Sequence, residues 1–208
     1  MRRVFVSFHH KNDQKYKDYL VTWAKENAVF IDGSVDTGDI DDKLSDEEIR
    51  IKIRDEYLKD TTVTILLVGL ETKYRKHIDW ELYSSMYDGK KNKKSGIIVI
   101  LLPSVQCDFY TVAHAGEKEC IYSDVKNWTS ISERTVYEER CPYLPERIID
   151  NLLAKDARIS VFRWKDLLDD VSDALSVKKV RYIVEKAFED RDVCKYDLSR
   201  SMRRRNGY

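Results

Sequence analysis

A glutamate on a predicted helix is the side chain of this sequence best suited to chemistry. Helical spacing puts Ile78 and Leu82 on one apolar stripe, with Glu81 at its edge and His77 one turn earlier on the same flank. A carboxylate at the border between core and solvent is partly desolvated, which tunes its pKa for catalysis. From spacing alone, a solvated glutamate in a helical ion pair is the commoner explanation. Trp80 points away from the stripe, which predicts contact with solvent or a partner.

Short apolar runs alternate with amphipathic stretches, which is the pattern of an α/β protein with a parallel sheet. Asn12 or Asp13 can cap a first helix, and Ser45 with Glu48 forms a capping box before a second. A third helix is predicted to begin near His77. The predicted strands, about five in a parallel sheet with helices on both faces, are residues 4–8, 28–31, 63–68, 97–102 and 159–162.

The C-terminal half is harder to interpret. A long insert over about 104–157 has no clear period, and its length predicts local structure or a function. After the last strand, two apolar stripes at helical spacing predict helices, one of them an extra C-terminal helix. We expect one domain over 1–190, followed by a basic tail over 191–208 that is either frayed and solvated or in contact with nucleic acid or a partner. The first stripe is Leu167, Leu168, Val171, Ala174 and Leu175, and the second is Val180, Ile183, Val184, Ala187 and Phe188.

Composition excludes several classes of protein. Lys+Arg and Asp+Glu are each 37, so the charge balance gives no support to nucleic-acid or anionic-membrane binding. No apolar run approaches the ~18 residues that span a bilayer, and the first run is too short for a signal peptide, so we expect a bacterial cytoplasmic protein. The four cysteines are widely spaced and lack a C-x-x-C pair, so we expect free thiols rather than a disulfide framework. His114, Cys120 and Cys141 match no strong zinc motif, so no metal is expected.

Ligands of such parallel sheets bind beyond the carboxyl ends of the strands, where the strand order reverses. In a flavodoxin-like order that place lies between the first and third strands. The site is therefore predicted to form from the loops after Phe8 and Gly69. Glu81 follows the second of these loops, which supports a functional interpretation of this residue.

Two segments resemble the TIR-like (Toll/interleukin-1 receptor) domain family. One is residues 3–9 with Asn12 and Asp13, and the other is residues 62–69 followed by Thr72, Arg75 and Trp80-Glu81-Leu82. The resemblance covers roughly residues 1–103 and implies a flavodoxin-like fold. Many bacterial and plant members cleave NAD with a glutamate near the start of the helix after the third strand, which by position is Glu81. Where relatives often have Trp, one turn before this glutamate, the sequence has His77.

The resemblance to bacterial antiphage-defence members implies an NAD glycohydrolase or ADP-ribosyl cyclase. Such an enzyme releases nicotinamide and forms a cyclic ADP-ribose-type messenger that activates a companion effector. NAD is then a substrate rather than a cofactor, in agreement with the absence of a Gly-x-Gly-x-x-Gly fingerprint. A phage component as trigger, silence before triggering, and self-assembly through the acidic segment 36–42 are further implications.

Within this resemblance, six side chains are candidates for substrate binding. His9 and Asn12 can hydrogen-bond phosphate or ribose, and Lys11 and Arg75 can pair with the pyrophosphate. The alternatives are an N-cap role for Asn12 and solvated positions for the two cations. Phe8 either stacks on a ring or packs in the core. His77 completes the set by its place beside Glu81.

The alternative function is a non-catalytic interaction module that uses the fold for assembly. The two functions predict different surroundings for one side chain. A solvent-reachable Glu81 beside Phe8 and an empty concavity favours the enzyme, whereas a Glu81 held by Arg75 or Lys76 without a cavity favours the module.

Overall fold

The computed structural model describes residues 1–34, 40–41, 43–90 and 92–207, so most of the acidic segment 36–42 lies outside the described residues. A five-stranded, all-parallel sheet has the order β2-β1-β3-β4-β5, which confirms the flavodoxin-like α/β prediction. The strands are β1 (Arg2–Ser7), β2 (Phe30–Asp32), β3 (Val63–Val68), β4 (Gly96–Leu101) and β5 (Ile159–Arg163).

The helices of the described residues connect and follow these strands. Ser45 caps the second helix through the predicted box with Glu48, and that helix continues into a π-helical turn over Ile53–Tyr57. Short 3₁₀ turns cover Thr72–Tyr74, Pro103–Val105 and Trp164–Leu167. The helices are α1 (His10–Glu26), α2 (Asp46–Lys52), α3 (Lys76–Met86), α4 (Glu117–Ile121), α5 (Arg134–Arg140), α6 (Glu146–Leu153) and α7 (Val177–Asp190).

Apolar side chains cover the sheet on both faces, as the continuous apolar runs of β3 and β4 require. Helices α1 and α7 pack on one face, where Val6, Leu20 and Ile183 belong to one core cluster. Helices α3, α5 and α6 pack on the other, where Leu82 and Ile148 belong to a second cluster. The short helices α4, α5 and α6 give the insert the local structure that its length predicts.

The first predicted C-terminal helix is wrong. After Trp164–Leu167 the chain forms a turn closed by the Asp169 amide, which donates to the Ala174 carbonyl at 2.8 Å. Val171 is 97% exposed, whereas Leu167 and Leu175 are buried in the α1/α7 cluster, so only part of the predicted stripe faces the core. Asp and Ser residues between the apolar positions favour a turn over a helix, because their side chains bond to nearby backbone. Ser176 then caps α7 by accepting from the Lys179 amide.

The C-terminal tail, residues 191–207, packs against the domain rather than fraying. Met202 is 3% exposed and inserts into the cluster that contains Trp80. Trp80 is buried beneath the tail, contrary to its predicted exposure, and its indole Nε1 donates to the Arg203 carbonyl at 2.8 Å. The side chain of Asn206 accepts from the Lys76 amide at 2.9 Å, so the tail caps the start of α3. A frayed, solvated tail, the commoner explanation of such a basic cluster, does not apply.

No described helix combines the length and the apolar character that crossing a bilayer requires.

Candidate active site

The last residue of β1 is the hydrogen-bond partner of the predicted catalytic glutamate. Ser7 pairs with Leu66 of β3, and its side chain lies on the face of the sheet that α3 covers. The Ser7 hydroxyl donates to Glu81 Oε2 at 2.6 Å. The carboxyl group of Glu81 is therefore held at the predicted place, the edge of the sheet where β1 and β3 end.

A residue at the edge of an apolar stripe is expected to be partly exposed, but Glu81 is buried. The residue is 7% exposed. Burial raises the pKa of its carboxyl to about 7, because the charged form loses its hydration, and the hydrogen bond from Ser7 acts in the opposite direction. A carboxyl with this pKa changes charge in the neutral range, which is the property needed of an acid or base catalyst.

A second group of polar side chains lies where α1 begins and where the chain leaves β3. His9 is buried, and its Nε2 lies 3.8 Å from Glu71 Oε2. Burial lowers the pKa of His9, and Arg75 lowers it further, against the opposing effect of Glu71. Burial, followed by the charge of Glu71, raises the pKa of Asp13 to about 6. This edge of the sheet therefore carries two carboxyl groups with raised pKa values, Glu81 at about 7 and Asp13 at about 6.

Glu71 organises the cations and amides around it. Arg75 donates from Nη2 to Glu71, and this hydrogen bond lowers the pKa of the Glu71 carboxyl. The side chain of Asn12 also hydrogen-bonds to Glu71. Arg75 therefore forms its ion pair with Glu71 rather than the pair with Glu81 that the module would require. Glu81 is nevertheless buried rather than solvent-reachable, so the surroundings predicted for the enzyme are not found either.

The remaining candidates lie at various distances from this arrangement. Phe8 packs in the core cluster of α1 and α7, and its ring stacks on His10 with centroids 4.4 Å apart. Its position is therefore on the face opposite to Ser7, and core packing accounts for it. Lys11 is exposed in the first turn of α1. His77 is half-buried and contacts the Trp80 ring edge-on at 4.8 Å.

Sequence reasoning missed Ser7, Asp13 and Glu71 as parts of the site. Ser7 had a signal, since it is the polar residue of an otherwise apolar strand, two positions after Phe5 and thus on the same face. The prediction that Asn12 or Asp13 caps the first helix is wrong, because α1 begins at His10 with His9 at its N-cap, which leaves Asp13 inside the helix. A Cβ at Gly69 would lie 2.2 Å from Asp13 Oδ2, so only glycine allows the end of β3 to approach this carboxylate.

The three residues of the weak zinc motif are used separately. His114 Nδ1 lies 2.8 Å from Asp190 Oδ2. Cys120 packs against the α1/α7 cluster and Cys141 is buried in the α3/α5/α6 cluster. No group of three or more His, Cys, Asp or Glu side chains among the described residues is arranged to hold a metal ion.

Comparison with known protein families agrees with this arrangement. Residues 5–106 match the family described as the TIR-like domain of the Thoeris protein ThsB. The chain carries a ThsB-type TIR-like domain. It is thus a TIR protein of antiphage defence, and the resemblance noted from its sequence is confirmed. The matched residues include Ser7, Asp13, Glu71 and Glu81, whereas the insert helices, β5 and the tail lie outside them.

No curated protein and no solved structure gives a significant match to the chain.

Proposed function

We propose that this TIR-like protein cleaves the nicotinamide–ribose bond of NAD and forms a cyclic ADP-ribose-type messenger in the bacterial cytoplasm. The observation that carries the proposal is the Glu81 carboxyl, buried beside Ser7 at the carboxyl ends of β1 and β3 with its pKa near 7. The messenger would activate a companion effector of the defence system. NAD is the substrate in this proposal, and no cofactor is needed.

The chemistry requires one well-placed negative charge. When the bond breaks, its electron pair leaves with nicotinamide, which departs as a neutral molecule, and positive charge develops on the ribose. An ionised Glu81 beside the ribose stabilises that oxocarbenium-like transition state. With a pKa near 7, about half of the Glu81 side chains are ionised at neutral pH. The positive nicotinamide ring of bound NAD favours the ionised form further.

Three side chains at the Glu71 carboxylate carry hydrogen-bond donors that could bind the substrate instead. Asn12 and Arg75 both contact Glu71, and His9 lies beside the same group. In this proposal they bind the ribose and pyrophosphate, with Lys11 contributing charge at the entrance. His77 is proposed to shape a wall of the pocket, whereas Phe8, in the core on the opposite face of the sheet, is not part of it. If water is excluded, a second nucleophile of the same nucleotide captures the ribose and gives a cyclic product.

The burial of Glu81 leads us to propose that the resting form is silent. A side chain that is 7% exposed cannot touch a ribose until its surroundings open. A trigger that stabilises the open form, such as a phage component or self-assembly, raises the competent fraction and hence the rate. The apparent affinity for NAD in the resting form is reduced by the same fraction.

The proposal is tested by measuring nucleotides in cells that express wild type, Glu81→Gln or Glu139→Gln, before and after phage challenge. Glu139 is an exposed glutamate of α5 and serves as the matched control. We expect a cyclic ADP-ribose isomer after challenge in wild type and Glu139→Gln, and none in Glu81→Gln. If no NAD-derived product differs although wild type resists the phage and both variants are folded, the enzyme proposal is refuted.

One observation favours the alternative, a non-catalytic assembly module. The burial of Glu81 and its hydrogen bond with Ser7 also fit a purely structural role. In that case Glu81→Gln protects cells as well as wild type does, because the amide preserves the hydrogen bond. Phage resistance of the Glu81→Gln strain therefore separates the two functions.

A further inference from the structure

A cavity of about 250 Å³ lies between the start of α3, the start of α6 and the C-terminal tail. Its lining is rich in positive charge, with five cationic and two acidic side chains. Neither Ser7 nor Glu81 belongs to this lining, but Arg75, proposed above to bind NAD, does, so the cavity adjoins the candidate active site. Its cationic residues are Lys73, Arg75, Arg147, Arg200 and Arg203.

The two acids of the lining are already engaged. Asp79 accepts two hydrogen bonds from the fully buried Arg147, at 2.8 and 3.0 Å. Glu146 pairs with Arg200, which also bonds to Asp150 outside the lining. Arg147 also donates to the carbonyls of the tail at Arg200 and Ser201, so its guanidinium is fixed between α6 and the tail.

Two cations of the lining have only neutral partners in the described hydrogen bonds and ion pairs. Lys73 Nζ donates to the Pro142 carbonyl, and Arg203 Nη1 donates to the Gly207 carbonyl at 2.9 Å. An anion is a stronger acceptor for these donors than a carbonyl, because the interaction is then charge-assisted. Lys73 precedes α3 and Arg203 lies in the tail, so one anion between them would join the tail to the domain.

A third donor on the lining lacks an acceptor. The Nε of Arg75 is buried and has no hydrogen-bond partner within the described part of the chain, although Nη2 of the same side chain binds Glu71. A buried N–H without a partner is costly, and an acceptor delivered by a ligand removes that cost. Helix α3 is capped by the side chain of Asn206, whereas α6 begins at the cavity without a side-chain cap, at Pro145, so the dipole of α6 adds to the positive potential.

We propose that this cavity binds a phosphoryl or pyrophosphoryl group, held between Lys73 and Arg203 and received by Arg75. The volume supports an anion of this size, since it is below the roughly 300–1,000 Å³ of sites that enclose a whole drug-sized ligand. The group belongs either to a free polyphosphate or to a nucleotide whose remaining part stays outside. Lys73 and Arg203 take no part in the proposed NAD cleavage, and the tail residues of the site lie outside the family match.

The experiment is calorimetric titration of the full chain carrying Glu81→Gln, which removes turnover without touching the cavity. Inorganic pyrophosphate and ADP are the two probes. We expect binding that the Lys73→Ala, Arg203→Ala double variant weakens at least tenfold. Arg205→Ala is the control, because Arg205 is an exposed arginine of the same tail that does not line the cavity. If both probes bind with equal affinity, the phosphate groups alone account for binding and a free polyphosphate is a sufficient ligand. If ADP binds more tightly than pyrophosphate, the ligand is a nucleotide.

Three outcomes overturn the proposal. They are no binding of either probe, unchanged binding by the double variant, and equal weakening by Arg205→Ala, which would indicate general attraction to a basic tail. A second readout, the NMR signal of the Arg75 Nε–H, should move on addition of pyrophosphate. Arg75 is shared with the proposed NAD site, but Lys73 and Arg203 are not. Failure of this test therefore leaves the proposed enzyme untouched, and failure of the enzyme proposal leaves the contribution of Lys73 and Arg203 untouched.

Discussion

Replacing Glu81 by glutamine is expected to stabilise the protein more strongly as the pH rises. In the folded chain the carboxyl has a pKa of about 7, above the ordinary value of 4.5. The folded state therefore holds this proton between pH 4.5 and 7 while the unfolded state loses it, so wild type loses stability as the pH rises through that window. Glutamine is isosteric, can still bond to Ser7 and has no charge to desolvate.

The size of the effect follows from the two pKa values. Their difference corresponds to about 3 kcal/mol in the free energy of unfolding, of which about 2.5 kcal/mol falls between pH 5 and pH 8. Asp13, with a pKa of about 6, titrates in the same range, but it is present in both proteins, so its contribution cancels in the difference. The glutamine variant should gain this amount over wild type across the interval.

Urea denaturation at pH 5 and pH 8 measures the difference directly. We expect the midpoint of Glu81→Gln to move relative to wild type by on the order of 1 M urea between the two pH values. Glu139→Gln, at an exposed site, should show no such change with pH. A difference between Glu81→Gln and wild type that is the same at both pH values would refute the burial argument, whatever the protein catalyses.

Three further predictions concern neighbours of this site and the tail. Ser7→Ala removes the hydrogen bond that lowers the pKa of Glu81, which is worth roughly 1.5–3 kcal/mol for a charged acceptor. The pH dependence of the proposed NAD cleavage should therefore shift upward by about one to two pH units; an unshifted profile contradicts this. Gly69→Ala should destabilise the fold by about 1–3 kcal/mol through collision with Asp13, measured by denaturation, and Asp13→Ala should relieve part of that loss. Met202→Ala should reduce the free energy with which the tail packs on the domain by about 2–5 kcal/mol. Proteolysis within the tail should then be faster than in wild type, and equal cleavage rates would show that Met202 does not anchor the tail.

The sheet could be predicted because its strands are short apolar runs separated by helical patterns. The end of β3 at Val68, before Gly69, lies where the apolar run stops. Helix α3 begins at Lys76, one residue before the predicted position. The failed helix near Val171 shows the limit of the same method, since an apolar stripe at helical spacing does not decide between a helix and a turn rich in Asp and Ser.

The candidate site was only partly predictable. Helical spacing places Glu81 at the edge of the core, but its full burial depends on Ser7, which is 74 positions away in the chain. The group around Glu71 depends on how closely the end of β3 approaches α1, which Gly69 permits and no local pattern reveals. The tail docks because Met202 packs into the cluster that contains Trp80. The basic residues of the tail do not reveal this contact, because a basic cluster by itself predicts a solvated segment.

The cap that the tail places on α3 has a consequence for the order of events during synthesis. The family-matching part of the chain, residues 5–106, is translated roughly 100 residues before Asn206, which at about 5–20 residues per second is a delay on the order of 5–20 s. During that interval the helix that carries Glu81 lacks the Asn206 contact at its first turn and the cover over Trp80. All five strands have been synthesised once Arg163 is added, yet the contact that completes the helix of the proposed catalytic glutamate becomes available only when translation is nearly over.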